Sequence, residues 1–218
     1  MRILAISDIH GDLEKAGQII AREFPFDVIV VAGDLTTYGT TRDAEYALQQ
    51  LLSYKKPVFA VAGNMDPPEL ENTFDVLGVS INGKGVIVDE VGVFGVSASP
   101  YSPLNTPYEI SEEEILQRAE AGWQDVRTAR WKIFVPHAPP LDTAADKLVS
   151  GKHVGSKSVR KFIEHRQPHV TICGHIHEAR CQDRIGSTQI INCGPAGSGY
   201  YGVLTISSEV VVESCSVP

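Results

Sequence analysis

The chain has 218 residues, of which 43% are hydrophobic and 21% charged; that is ample for one domain with a full core, short for two, and far from a disordered composition. The formal net charge is -8, with no lysine- or arginine-rich block, so a broad nucleic-acid footprint is disfavoured, a small positive cleft stays open, and phosphates can still be handled where bound metal ions supply the positive charge locally. No apolar run approaches the ~18 residues of a membrane span, and the start lacks the charged and apolar regions of a secretory signal, so the expectation is a cytoplasmic protein with no membrane partner and residues 1–218 as one domain.

RILAIS (2–7) is an apolar run too short for a helix and reads as a buried strand. DLEKAGQIIAREF places Leu13, Ala16, Ile19, Ile20 and Phe24 at helical spacing, with Asp12 positioned to cap it. DVIVVA (27–32) is a second strand and TRDAEYALQQLLSY a second helix, its apolar stripe at Ala44, Ala47, Leu48, Leu51 and Leu52. PVFAVA (57–62) is a third strand, followed by a short helix in PPELENTF with proline at its start. Strands and helices alternating in this way indicate βαβ units and a parallel sheet. The middle differs. GVIVDEVGVFGVSAS (85–99) reads as two tightly joined antiparallel strands, and PYSPLNTP (100–107) as an ordered surface loop. SEEEILQRAEAGWQ has a serine cap and acidic first turn, a helix start. WKIFVPH is a strand, SKSVRKFIEHRQ a helix stopped by Pro168, and HVTIC the strand after it. STQIINC, YYGVLTIS and EVVVES read as three strands in a meander. The fold class is therefore α/β, with a parallel half and a more antiparallel half. The four cysteines form no CxxC pair and read as small buried hydrophobes in a reducing compartment.

Polar residues of metal-ligand type recur where these strands end. S-D-I-H after the first strand supplies Asp8 and His10, A-G-D after the second supplies Asp34, and A-G-N-M-D after the third supplies Asn64. His137 follows WKIFVP, and CGHIHEA supplies His175 and His177. In open α/β sheets the C-terminal strand edge is where ligands bind. Each residue alone has an ordinary explanation: a helix cap for Asp8, a turn residue for Asp34, a left-handed turn position for Asn64 and loop imidazoles for the histidines. Their joint occurrence, each at a strand end, points instead to one shared site. His175 and His177 project from one face of an extended chain at roughly 6.5–7 Å, wide for one rigidly held ion and suited to two ions side by side. Imidazoles mixed with carboxylates suit borderline divalent ions, and the absence of cysteine from the set argues against a structural zinc site. Seven ligands are too many for one ion and enough for two, the usual device for phosphoester hydrolysis.

The order D-x-H, GD, GN, H, G-H-x-H resembles the calcineurin-like metallophosphoesterases, and the likeness extends to NTPYEISEEE, GKHVGS and GPAGSGYYGV, which are similar to small archaeal and bacterial members. The resemblance implies two mixed β-sheets packed as a sandwich flanked by α-helices. It implies two divalent ions, manganese first, with iron, nickel, cobalt or zinc as alternatives. Asp8, His10, Asp34 and His177 would hold one; Asp34, Asn64, His137 and His175 the other, with Asp34 bridging and with Asp34, Asn64 and His137 as the catalytic residues. It further implies attack on a small-molecule phosphoester, diester or monoester, by a metal-bridging hydroxide, and is compatible with a homo-oligomer.

One departure bears on the reaction. Many members read GNH followed by an acidic residue, and that histidine is thought to protonate the leaving group; here the position is Met65. A thioether cannot donate a proton, so the expectation is a preference for leaving groups needing little protonation. Asp66 could substitute, although capping the helix of PPELEN is its simpler role, and His153 in GKHVGS is the other candidate, otherwise solvent-exposed. His165 and His169 are assigned structural or solvated roles, and Trp123 and Trp131 packing in the core or against a partner subunit. The opposing reading, favoured by Met65, is a non-catalytic docking module of the same fold.

Overall fold

The computed structural model describes residues 1–218, and two mixed sheets form its centre. β1 (Arg2–Ile6), β2 (Val28–Ala32) and β3 (Val58–Val61) lie parallel, in register from Ile3 opposite Val28 and Ile29 opposite Val58. Between them run α1 (Leu13–Glu23) and α2 (Thr41–Leu52), and after β3 comes α3 (Leu70–Leu77). Asp12 caps α1 by accepting from the Lys15 N–H at 2.9 Å, and Thr40 and Asp43 form a reciprocal capping box on α2. β4 (Gly85–Val88) and β5 (Val91–Val96) are the expected antiparallel pair. The short strands β6 (Ser99–Pro100) and β7 (Glu109–Ile110) bracket the proline-rich loop, and Ser111 caps α4 (Glu112–Val126). β8 (Trp131–Pro136), α5 (Lys157–Arg166) and β9 (Val170–Cys173) follow.

The C-terminal third corrects the meander. β11 (Thr188–Asn192) runs parallel to β9 within the second sheet, whereas β12 (Tyr200–Ile206) crosses to the first sheet and pairs antiparallel with β1. Of the three strands expected to form the meander, β12 and β13 (Val210–Ser216) alone pair with each other, as a hairpin. A further strand, β10 (Cys181–Ile185), pairs with β11 at the sheet edge; its sequence CQDRI alternates exposed polar residues and carries no apolar run by which to read it. The orders are β13-β12-β1-β2-β3 and β10-β11-β9-β8-β5-β4. The second sheet is parallel through β5, β8, β9 and β11, so it is less antiparallel than the sequence suggested.

Strand alternation assigns each face a partner. Ile3, Ala5, Val28 and Val30 of the first sheet pack against Ile133, Val135, Val170 and Ile172 of the second. The alternate residues, such as Leu4, Ile6, Ile29 and Val31, face helices, as do Phe94 and Phe134 of the second sheet. With both faces covered, the strands read as continuous apolar runs. Trp123 belongs to this core, its ring 5.9 Å from Phe94, with Phe134 and Phe162 at 4.8 Å from one another. All four cysteines are free, with Cys173 and Cys193 buried. No helix is long and apolar enough to cross a membrane.

Candidate metal centre

All seven ligand-type residues meet at the seam between the sheets. Asp8, Asp34 and Asn64 follow β1, β2 and β3; His137 follows β8; His175 and His177 follow β9. Asp8 and His137 are fully buried, and the other five line a cleft of about 1150 Å³ above them.

The backbone is bent hard to bring them there. Asp8, His10, Asp34 and His175 adopt left-handed φ of 53°, 49°, 52° and 68°, a conformation that costs a non-glycine residue about 1–3 kcal/mol and persists only where surrounding contacts enforce it. Asn64 is not among them, contrary to the turn expectation for GN. The enforcing contacts run between loops: the N–H groups of Asp8 and His10 donate to the carbonyls of Gly33 and Asp34, both at 3.0 Å, and that of Gly174 to His137 at 3.1 Å. The His175 N–H donates to Asp8 Oδ1 at 3.0 Å, joining the two sheets through a ligand-type side chain. The Met65 N–H holds Asp34 Oδ1 at 2.8 Å, which turns Oδ2 toward the histidines. Glycines make the approach possible. A Cβ on Gly63 would overlap Asp34 Oδ1, and one on Gly174 would overlap Asp8 Oδ2 and Ser7.

The donor atoms fall into two groups joined by one oxygen. Asp34 Oδ2 lies 3.8 Å from His10 Nε2 and 3.4 Å from His137 Nε2. On one side, His177 Nε2 is 3.3 Å from Asp8 Oδ1 and 3.1 Å from His10 Nε2. On the other, Asn64 Oδ1 is 2.9 Å from His137 Nε2 and 2.7 Å from His175 Nδ1. Asp8, Asp34 and His137 also bring ligand atoms within 4.8 Å of one another, so Asp8 reaches toward both groups.

This donor set fits divalent cations. His10 Nδ1 lies 3.2 Å from the Thr36 carbonyl and His137 Nδ1 2.8 Å from that of Ala32, so each Nδ1–H has an acceptor and each Nε2 presents a lone pair. The His137 Nε2 in particular faces the acceptors Asn64 Oδ1 and Asp34 Oδ2. So close a set of acceptors calls for positive charge among them, from a proton on an imidazole or from a bound cation. Burial alone would lower the His137 pKa, but the Asp34 carboxylate, with Asp8 beyond it, lifts it to about 9. Burial would raise Asp8, yet its hydrogen bond to His177 and the charge of His137 bring it down to about 2. His175 is pushed down to about 4 by burial and by His137. Neighbouring groups perturbed in opposite directions mark a site organised around charge.

Asp66 corrects the expectation of a helix cap. It is buried and accepts from the N–H groups of Leu35, Thr36 and Gly63 at 3.1, 2.9 and 2.9 Å and from the Thr36 hydroxyl at 3.0 Å, while α3 starts at Glu69 without a side-chain cap. It ties the loop after Asp34 to the loop before Asn64 and does not line the cleft. Burial, with Asp34 nearby, raises its pKa to about 6. Met65 does line the cleft. His153 lines it as well, with its side chain only 31% exposed. His169 accepts from the Lys132 N–H at 3.1 Å, a structural role. Asn192 lies outside the residues singled out from the sequence: fully buried at the end of β11, its amide nitrogen sits 3.0 Å from the carbonyls of Ala145 and Ile176 and 3.3 Å from that of Gly174. The one signal in the sequence is a polar residue closing the apolar run TQII.

A family model described as calcineurin-like phosphoesterase matches residues 1–179. An uncharacterised protein of Methanocaldococcus jannaschii is 36% identical over 219 residues, covering 98% of this chain and 96% of that one. Among solved structures, a Thermus thermophilus protein superposes with a TM-score of 0.75 at 20% identity, covering 99% of this chain and 98% of its own. A dimetal phosphatase from Danio rerio superposes with a TM-score of 0.68 at 13% identity, covering 99% and 96%. The two structures share the fold, and the family match together with the Methanocaldococcus relative shows that the chain belongs to the calcineurin-like phosphoesterase family.

Proposed function

We propose that this protein is a metal-dependent hydrolase of small-molecule phosphoesters that works with two divalent ions. The observation that carries the reading is the donor arrangement: two groups of imidazole and carboxylate or amide atoms within hydrogen-bond or near-contact distance of one another, joined by Asp34 Oδ2. Asp8, His10, Asp34 and His177 would hold one ion, and Asp34, Asn64, His137 and His175 the other. Mixed nitrogen and oxygen donors suit manganese first, with iron, nickel, cobalt or zinc as alternatives. Such a pair supplies Lewis-acid charge for the phosphoryl oxygens and lowers the pKa of water into the neutral range.

The chain's own groups supply order. Asp34 sets the relation between the two halves, one oxygen fixed by Met65 N–H and the other shared. His137, buried and oriented by the Ala32 carbonyl, presents a fixed Nε2. Asn64 keeps its amide between His137 and His175 at the cleft floor. Met65, Pro100, Tyr101 and Leu104 offer apolar surface for the organic part of the ester, and Met65 itself contributes no proton.

The test is hydrolysis of p-nitrophenyl phosphate and bis-p-nitrophenyl phosphate by protein stripped with chelator and then titrated with manganese, set beside His137→Ala. Turnover restored by manganese in the parent and lost in the variant is the expected result. No manganese-dependent turnover of either ester would move the protein to the docking-module reading.

A further inference from the structure

Met65 offers the leaving group no proton, and the same cleft is lined by a histidine that the proposed metal centre does not use. Residues 147–153 form a short hairpin closed by a bridge between Lys147 and His153, with Gly151 at its turn in a left-handed conformation (φ +84°). His153 Nδ1 lies 2.6 Å from Asp146 Oδ1, and Nε2 has no protein partner. Asp146 is fully buried and is itself fixed by three backbone N–H groups, from Asp142, Thr143 and Gly155, at 3.1, 2.9 and 2.9 Å. A buried carboxylate holding Nδ1–H leaves Nε2 as the imidazole's working nitrogen, the arrangement by which histidine acts as an oriented acid or base.

The placement is rigid relative to the metal-ligand-type residues. Asn192 reaches the carbonyl of Ala145, adjacent to Asp146, and those of Gly174 and Ile176, which flank His175. The Val149 N–H at the hairpin tip donates to Glu178, next to His177, at 2.5 Å. Hairpin and histidine loop thus share supports, and His153, Met65, His10, Asn64 and His175 line one cleft.

We propose that His153 donates the proton to the leaving-group oxygen and that Asp146 is its positioning residue, the pair replacing the acid absent at Met65. The inference rests on the hydrolase reading above. In the step, the oxygen of a water molecule forms the new bond to phosphorus as the bond from phosphorus to the leaving oxygen breaks with its electron pair. The Nε2–H proton of doubly protonated His153 passes to that oxygen, so the leaving group departs as a neutral alcohol. The proton released by the attacking water restores His153, and no oxidant or co-reactant is needed. The substrates served are then alkyl phosphoesters, whose alkoxide cannot leave unprotonated, and not activated aryl esters alone.

The experiment compares parent, His153→Gln and Asp146→Asn on p-nitrophenyl, phenyl and ethyl phosphate and on the same three groups as methyl diesters, with manganese and with circular dichroism as the check on folding. In His153→Gln, kcat for the ethyl ester should fall ~100-fold or more, the phenyl ester less and the p-nitrophenyl ester least, a steeper dependence on the leaving group at little change in KM. Asp146→Asn should show the same ordering, weaker. Equal losses on all three groups assign His153 a structural role and overturn the proposal, as does no loss on the ethyl ester. A parent that turns over only p-nitrophenyl esters overturns it too while leaving the hydrolase reading standing. A parent inactive on every ester removes both.

Discussion

The floor and the rim of the cleft are built on different principles. The floor consists of strand ends: five loops leave β1, β2, β3, β8 and β9, their backbones bonded to one another and their ligand-type side chains buried or partly buried except for the exposed His177. The rim consists of two irregular segments, each gathered around one carboxylate. Glu109 accepts from the N–H and hydroxyl groups of both Ser102 and Thr106, and Asp146 holds Asp142, Thr143, Gly155 and His153. Tyr101 and Leu104 on the rim are 72% and 79% exposed, whereas Asp34 on the floor is 2% exposed. A floor fixed by sheet hydrogen bonds can hold charged groups at strained φ; a rim fixed by side-chain hubs can vary its apolar surface without disturbing them. On the hydrolase reading, chemistry and substrate choice would thereby be separated within one cleft.

Four substitutions break or sharpen that contrast, taken from the largest expected effect to the smallest. Asp34→Asn on the floor removes the shared charge while keeping the Met65 N–H contact, and should lower manganese-dependent kcat by ~100–1000-fold, the scale of losing one preorganised electrostatic group; steady-state kinetics with p-nitrophenyl phosphate reads it. Gly174→Ala places a Cβ against Asp8 and Ser7. It should weaken manganese binding ~10–100-fold by displacing a ligand, as changes behind metal ligands do, measured by calorimetric titration. Asn192→Ala joins floor to rim by leaving the Ala145, Gly174 and Ile176 carbonyls without their donor; a loss of about 1–3 kcal/mol in urea unfolding is expected.

The smallest effect concerns Glu109. Burial would raise its pKa, but the backbone and hydroxyl donors of Ser102 and Thr106 outweigh this and hold it at about 2 against an ordinary 4.5. A folded pKa below the unfolded one means the contribution is present above about pH 4.5 and is lost as the pH falls through about 2. The parent's 100–107 loop should therefore become progressively easier for pepsin to cut across that interval. Glu109→Gln should be cut readily throughout, with the floor's kinetics at neutral pH little altered. Mass spectrometry of the fragments at Tyr101 and Leu104 decides it.

The same contrast explains what can be read from the sequence. Apolar runs ending in Asp8, Asp34, Asn64, His137 and His175 announce the floor, because a strand buried on both faces is continuous in hydrophobicity and its end is marked by the first polar residue. Asp66 and Asn192 escape such a reading because a buried polar hub has no period: Asp66 sits before two prolines like any helix cap, and its partners Leu35 and Thr36 are some thirty positions away. Asp146 ends the stretch T-A-A-D, whose form is that of a capping box, and its grip on His153 is invisible without the hairpin. The meander fails for a topological reason. β11 and β12 are separated by only a few residues, yet they belong to different sheets, and nothing in their alternation records which sheet each joins.

That crossing also sets the order in which the molecule can be completed during synthesis. β1 is made first, but its antiparallel neighbour β12 emerges some two hundred residues later, and the Asp8 carboxylate waits 167 residues for the amide of His175. A nascent chain halted before β9 holds three of the loops that end in acidic or amide groups and lacks two of the imidazoles that balance them. Assembly of the donor set is thus a late event that needs nearly the whole polypeptide.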